Sequence, residues 1–307
     1  MLKTHFMMFC ISLLLTGCMQ FTYDEPPPSS GNTDQDWIIT HTEANALFTA
    51  DHHIMLWDAR LEPDPSLEAV TWQEFSHPDP PLQGLLLDDL QLLAERISAR
   101  RVSSQHTVLI LDDPLTGWGE GGRLLWMLRA LGHTKSHLIM APEHMHESNH
   151  TLVENWLKHT SEQPQTQPDL SLQPNTELTA THEHVHDMLE RVQTGEVVLI
   201  DTREAREYAG ETPYGEQRGG HIPGAKHIYF KDLLTTEGNL KPSSTLLAML
   251  KTQGITPDKE IIAYCTGGIR SAWLVVVLKE LGFTQVRNYA GSMWEWSAQN
   301  NDEYPLE

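Results

Sequence analysis

The sequence predicts an α/β protein of two tandem units, each a parallel sheet flanked by helices. Short apolar runs of strand type alternate with helical runs, as in parallel sheets with crossover helices. The second half also repeats the first. Val197-Val-Leu-Ile-Asp201-Thr-Arg203 echoes Ile54-Met-Leu-Trp-Asp58-Ala-Arg60, and Leu278-Lys-Glu-Leu-Gly-Phe283 echoes Leu128-Arg-Ala-Leu-Gly-His133. The length agrees, since 307 residues suit two domains of about 150 each.

The first residues read as an export signal. Lys3 supplies a positive charge, and Phe6 to Leu15 form an apolar run too short to span a bilayer. Leu15-Thr16-Gly17-Cys18 resembles the lipobox of bacterial lipoproteins, which implies cleavage of residues 1–17 and lipidation of Cys18. Met19 is not the Asp of an inner-membrane retention signal, so the expected location is the periplasmic side of the outer membrane, lipid-anchored. Residues 18–36, with a Pro-Pro-Pro-Ser-Ser-Gly run, read as a tether.

The first unit spans 37–160. It holds a buried strand from Ile54 to Asp58, an amphipathic helix from Leu85 to Arg101 and a second strand from Thr107 to Leu111. A glycine-rich loop, Asp112 to Gly122, leads into an apolar helix from Arg123 to Leu131. Residues 161–176 lack periodicity and read as a surface linker; the second unit spans 177–307. The net charge of −21 argues against nucleic-acid and anionic-lipid partners.

The chemistry concentrates in Ile261-Ile-Ala-Tyr-Cys-Thr-Gly-Gly-Ile-Arg-Ser-Ala-Trp273. A strand ends at a thiol, two glycines and an arginine follow, and an apolar helix begins. Unpaired N–H groups at the helix start and the positive end of its dipole favour a thiolate and attract an anion. Cys10 leaves with the signal and Cys18 is modified, so Cys265 is the one thiol of the mature chain. It cannot serve as an internal disulfide staple, which points to chemistry.

The second half resembles a catalytic rhodanese domain, and the chain as a whole a tandem-domain rhodanese sulfurtransferase with an inactive first domain. The matching pieces are Asp201-x-Arg203, Gly220-His-Ile-Pro-Gly-Ala225, the Cys265-to-Arg270 loop and the ending Tyr289-Ala-Gly-Ser-Met-Trp-Glu-Trp296. The resemblance implies that Cys265 takes sulfane sulfur from a donor such as thiosulfate as a persulfide. It then passes that sulfur to cyanide or a thiol, a protein thiol included, without a cofactor. Thr266, Gly267, Gly268 and Ile269 would cradle the persulfide with their amides, and Arg270 would offer a forked cation to the donor. Arg203, Arg206 and Arg218 would line the mouth. Asp201 and Arg203 pair to fix loops beside the site rather than act as acid and base, and His221 shapes a turn. Glu207 stands where the animal thiosulfate enzymes place an arginine, and Gly267 where they place a lysine, which sets the loop closer to bacterial rhodaneses.

Cys-loop phosphatases and arsenate reductases use Cys-x5-Arg; here the spacing is Cys-x4-Arg, and sulfur chemistry is favoured. A sulfur carrier with little turnover of its own is the other reading. The first unit's Asp112–Gly122 loop is longer and has no cysteine; Asp112 and Asp113 are expected to repel an anionic donor, leaving that unit to form one wall of the cleft. His182, His184 and His186, and His144, His146 and His150, read as exposed rather than as a zinc or copper site, because helix positions i and i+2 face apart.

Overall fold

The computed structural model describes residues 36–50, 53–160 and 170–307. The signal, Cys18, the tether up to residue 35 and linker residues 161–169 lie outside the described residues. The first unit contains strands β1 (Ile54–Asp58), β2 (Glu68–Ala69), β3 (Thr107–Asp112) and β4 (Ser136–Met140), and helices α1 (His41–Ala50), α2 (Leu90–Ala99), α3 (Glu120–Ala130) and α4 (His146–Thr160). The second contains β5 (Thr179–Ala180), β6 (Val197–Asp201), β7 (Lys226–His227), β8 (Glu260–Tyr264) and β9 (Val286–Tyr289). Its helices are α5 (His182–Asp187), α6 (Leu189–Gln193), α7 (Ala205–Tyr208), α8 (Ser243–Thr252), α9 (Ile269–Glu280) and α10 (Ser292–Ala298).

Both sheets are parallel, ordered β2-β1-β3-β4 and β5-β9-β8-β6-β7. Their central strands β1, β3, β6 and β8 are nearly continuous apolar runs, because both faces of each sheet are covered. The repeat survives strand by strand. A parallel bridge between Ile38 and Leu138 even takes the place in the first unit that β5 takes beside β9 in the second. The sequence reading of a helix from Leu85 is corrected: α2 begins at Leu90, where the Asp89 carboxylate accepts the Gln91 and Leu92 amides. Leu85 and Leu87 are instead extended and exchange backbone hydrogen bonds with His77 and Phe75.

The two units meet through α3 and α9. Residues 269–278 of α9 are buried on every side, since the helix lies between its own sheet and α3, which explains an apolar run with no polar face. One apolar core therefore runs from the first sheet through α3 and α9 to the second. Close approach depends on Gly122, where a Cβ would fall 2.6 Å from Trp273 Cδ1 and 2.7 Å from Trp273 Cα. Gly122→Ala should cost about 1–3 kcal/mol of stability through overpacking, read as a lower urea midpoint; an unchanged midpoint would contradict this packing.

Candidate active site

Cys265 is the first residue after β8, at the carboxyl end of the parallel sheet, where loops of open α/β sheets converge on ligands. Three devices hold its loop. Gly268 caps α9 in the left-handed region at φ +80, where a side chain would strike the Ala290 carbonyl, and a Cβ on Gly267 would enter the Trp294 ring. The first amides of α10 satisfy the loop carbonyls, Met293 N–H donating to Cys265 O at 3.1 Å and Trp294 N–H to Thr266 O at 2.9 Å. Ser292 sits at φ +52, a strained region for a residue with a Cβ. That conformation lets its Oγ accept the Cys265 N–H at 3.0 Å while donating to Tyr289 O at 2.6 Å.

The Gly268 N–H donates to Cys265 Sγ at 3.1 Å. The thiol is 1 % exposed. Burial pushes the thiol up. The Arg270 charge, the amide and hydroxyl of Ser271 and the Gly267 amide outweigh burial and hold the thiol below the ordinary cysteine value. The loop thus gathers an amide donor and positive charge around the sulfur, an arrangement that favours its anionic form.

Arg270 is placed differently from the sequence expectation. Its fork is closed on Glu207, Nη1 donating to Oε2 at 2.7 Å and Nη2 to Oε1 at 2.8 Å, with both side chains buried. It is therefore not a free clamp for a donor's oxygens; it braces the loop and lends its charge to the sulfur. Arg270 Nη2 also donates to Thr266 Oγ1 at 2.6 Å. That leaves the hydroxyl proton for Glu207 Oε1 at 2.8 Å or Glu216 Oε1 at 3.2 Å. Burial raises Glu207, but Arg270 and Thr266 prevail and keep it below the usual glutamate value. Over the guanidinium lie Trp118 of the first unit and Tyr214 of the second, ring centroids 5.4 and 5.8 Å from Arg270 Cζ and 4.8 Å from each other.

Of the mouth arginines, only Arg206 is at the surface, held by Glu204 at 2.7 Å and near the Tyr214 hydroxyl at 3.4 Å. Arg203 is fully buried; its Nη2 donates to Asp201 Oδ2 at 2.7 Å and to Gly220 O at 2.8 Å. A substrate-binding role is corrected to a brace, because the Asp201 carboxylate already fills its fork. Arg218 likewise ties Trp296, Ser297 and Tyr304 carbonyls together. His221 Nδ1 donates to Tyr208 O at 3.0 Å and its ring stacks on Tyr208. His182 faces Glu295 at 3.0 Å and His184 faces Glu260 at 3.5 Å.

In the first unit, Asp112 holds the place of Cys265: Asp58 lies opposite Leu111 in β3, as Asp201 lies opposite Tyr264 in β8. Its carboxylate accepts the Gly121 and Gly122 amides at 3.1 and 3.3 Å. Burial, with help from Glu120, pushes it up to about 8 against the pull of those amides. Asp112 thus turns inward and fills the equivalent cradle from within, rather than projecting to repel a donor.

Glu207, Glu216, Ser292, Trp118 and Tyr214 were not identified as site residues from sequence. Glu207 had a signal, a carboxylate just before Tyr208, but nothing in one sequence pairs it with an arginine 63 positions on.

A profile of the rhodanese-like domain matches residues 184–299. The chain is 31% identical over 235 residues to a thiosulfate sulfurtransferase of Pseudomonas aeruginosa, covering 74% of this chain and 79% of that one. It is 29% identical over 274 residues to the sulfur carrier protein TtuD of Thermus thermophilus, covering 85% and 91%. The fold matches that of Tum1 from Saccharomyces cerevisiae with a TM-score of 0.71 at 19% identity, covering 89% and 98% of the two chains.

Proposed function

The chain belongs to the rhodanese-like sulfurtransferase family, and from that premise we propose that it moves sulfane sulfur through a persulfide on Cys265. The observation that carries this reading is the Cys265 thiol, its pKa held low, inside a cradle of amides. With thiosulfate as donor, the thiolate attacks the outer sulfur. A sulfur–sulfur bond forms, the bond to the sulfonate sulfur breaks, and sulfite leaves with the electron pair. The anionic persulfide inherits the cradle of the thiolate, so the enzyme need not reorganise between half-reactions. Cyanide or a thiolate then attacks the outer sulfur and returns Cys265 to its thiolate form.

The first unit is a rhodanese-like domain without activity of its own. Asp112 stands where the sulfur would be carried, and a carboxylate cannot form a persulfide. Its part is to cover the loop: a Cβ on Gly84 would lie 2.9 Å from Gly267 O, and Trp118 stacks over Arg270. A sulfur carrier with slow turnover is the second reading, favoured by the sealed thiol and by the likeness to the Thermus protein. A steady-state assay with thiosulfate and cyanide separates the two; turnover near background, with Cys265 still loaded by a donor, selects the carrier.

We further propose a lipid anchor at Cys18, holding the protein on the periplasmic side of the outer membrane. The lipobox-like Leu15-Thr16-Gly17-Cys18 supports it. Among the described residues no helix is long and apolar enough to cross a membrane. Palmitate should label the chain in bacterial cells and fail to label Cys18→Ala; equal labelling of both would refute the anchor.

A further inference from the structure

Among the described residues, Arg123, on α3 of the first unit, has no carboxylate paired with its charge. Its side chain is 1 % exposed and stacks over the Trp126 ring at 4.6 Å. Nη2 donates to Gly84 O at 2.6 Å and to Ser76 Oγ at 3.4 Å, and Nη1 donates to Gly268 O at 3.4 Å. All of these acceptors are neutral. The other two fully buried arginines differ: Arg203 and Arg270 each have a carboxylate across the fork. Taking a lone cation out of water is unfavourable unless a nearby anion offsets it. Burial lowers Arg123 to about 9, and the one charge that lifts it is Cys265.

The contact with Gly268 gives this charge a route to the sulfur. Gly268 O takes Arg123 from one side and Asn288 Nδ2, at 3.1 Å, from the other. The same glycine's N–H points at Cys265 Sγ. Arg123 therefore both pins the glycine that cradles the sulfur and places an uncancelled positive charge behind it. Of the other charges around the loop, that of Arg270 also reaches the sulfur, although its fork is held by a carboxylate. Arg270 is matched by Glu207 of α7, Glu216 meets Thr266, and Glu295 of α10 faces His182. Glu120 of α3 turns to the Trp118 amide at 2.8 Å.

We propose that Arg123 is a second counter-ion, beside Arg270, of the Cys265 thiolate and persulfide, so that the cysteine-free unit adds charge to the sulfur site of the other. It is a positioning residue, and the inference rests on the persulfide reading for its benefit to turnover, though not for its effect on the thiol.

The test uses protein lacking residues 1–18, in which Cys265 is the single thiol, and follows its alkylation by iodoacetamide against pH. Arg123→Met should move the midpoint up by about one unit or more, because removing a nearby cation disfavours the thiolate. Arg123→Gln, able to keep the Gly84 contact without charge, should do the same, and Arg123→Lys should recover at least half of the shift. Folded Met and Gln variants with the parent's midpoint, or a Lys variant shifted as far as Met, would overturn the proposal. If no uncharged variant folds, the Lys variant decides: a midpoint displaced by about one unit or more despite the retained charge overturns the proposal, since the role is then structural. Loss of sulfur loading in the parent, with the midpoint shifts intact, would count against the persulfide and not against Arg123.

Discussion

Replacing Cys265 with serine is expected to abolish sulfur transfer while leaving the fold in place. A serine hydroxyl holds its proton far too tightly for the cradle to strip it at neutral pH, and oxygen has no persulfide to form. The change removes little volume, and the Gly268 amide can donate to the hydroxyl as it does to sulfur. Turnover should fall to the uncatalysed background with unchanged circular dichroism. Sulfur transfer surviving in Cys265→Ser would remove the residue from the mechanism.

The second large effect is expected at Glu207. Glu207→Ala leaves Arg270 buried without its partner and takes away a contact of Thr266. Breaking a buried ion pair by removing one side costs about 3–5 kcal/mol, far more than any exposed pair in this chain can contribute. The loop should loosen with it, and misplacing a reacting group by about 1 Å costs on the order of a hundred-fold in rate. Denaturant unfolding and steady-state kinetics on the same preparation test both. Glu207→Gln, which keeps one acceptor for the guanidinium, should lose less of each. If the alanine variant matched the parent in stability and rate, the Glu207–Arg270 pair would not be the brace described here.

What was legible in the sequence follows the chain's local physics. The parallel sheets showed in doubly apolar strands, the tandem repeat in matched strand and helix ends, and the candidate reactive residue in a thiol between a strand and a helix start. The strands and the thiol turn are each written within a dozen neighbouring residues, and the repeat is such a local pattern written twice. The partners of Arg270 and Arg123 are not local. Arg270 finds Glu207 across 63 positions, and Arg123 reaches Gly268 across 145. Those pairings depend on how α3 packs on α9 and where α7 leaves its strand, which a single sequence does not encode in any local pattern. For the same reason, Arg270 and Arg218, read as facing substrate, became braces, whereas the pairing of Arg203 with Asp201, two positions away, was legible. An arginine's type signals a charge, but only its surroundings decide whether a carboxylate has already taken it. Asp112 shows the limit from the other side. Its acidity was plain, and its inward turn onto two glycine amides was not.

The most direct test of sulfur carriage is the intact mass of the soluble protein after incubation with a sulfane donor and removal of the excess. With residues 1–18 absent, Cys265 is the only cysteine that can carry the load. The mass should rise by one sulfur atom, return to its starting value on addition of cyanide, and stay unchanged throughout in Cys265→Ser. An unmodified Cys265 after every donor, thiosulfate and low-molecular-weight persulfides alike, or equal loading of the serine variant, would contradict the account.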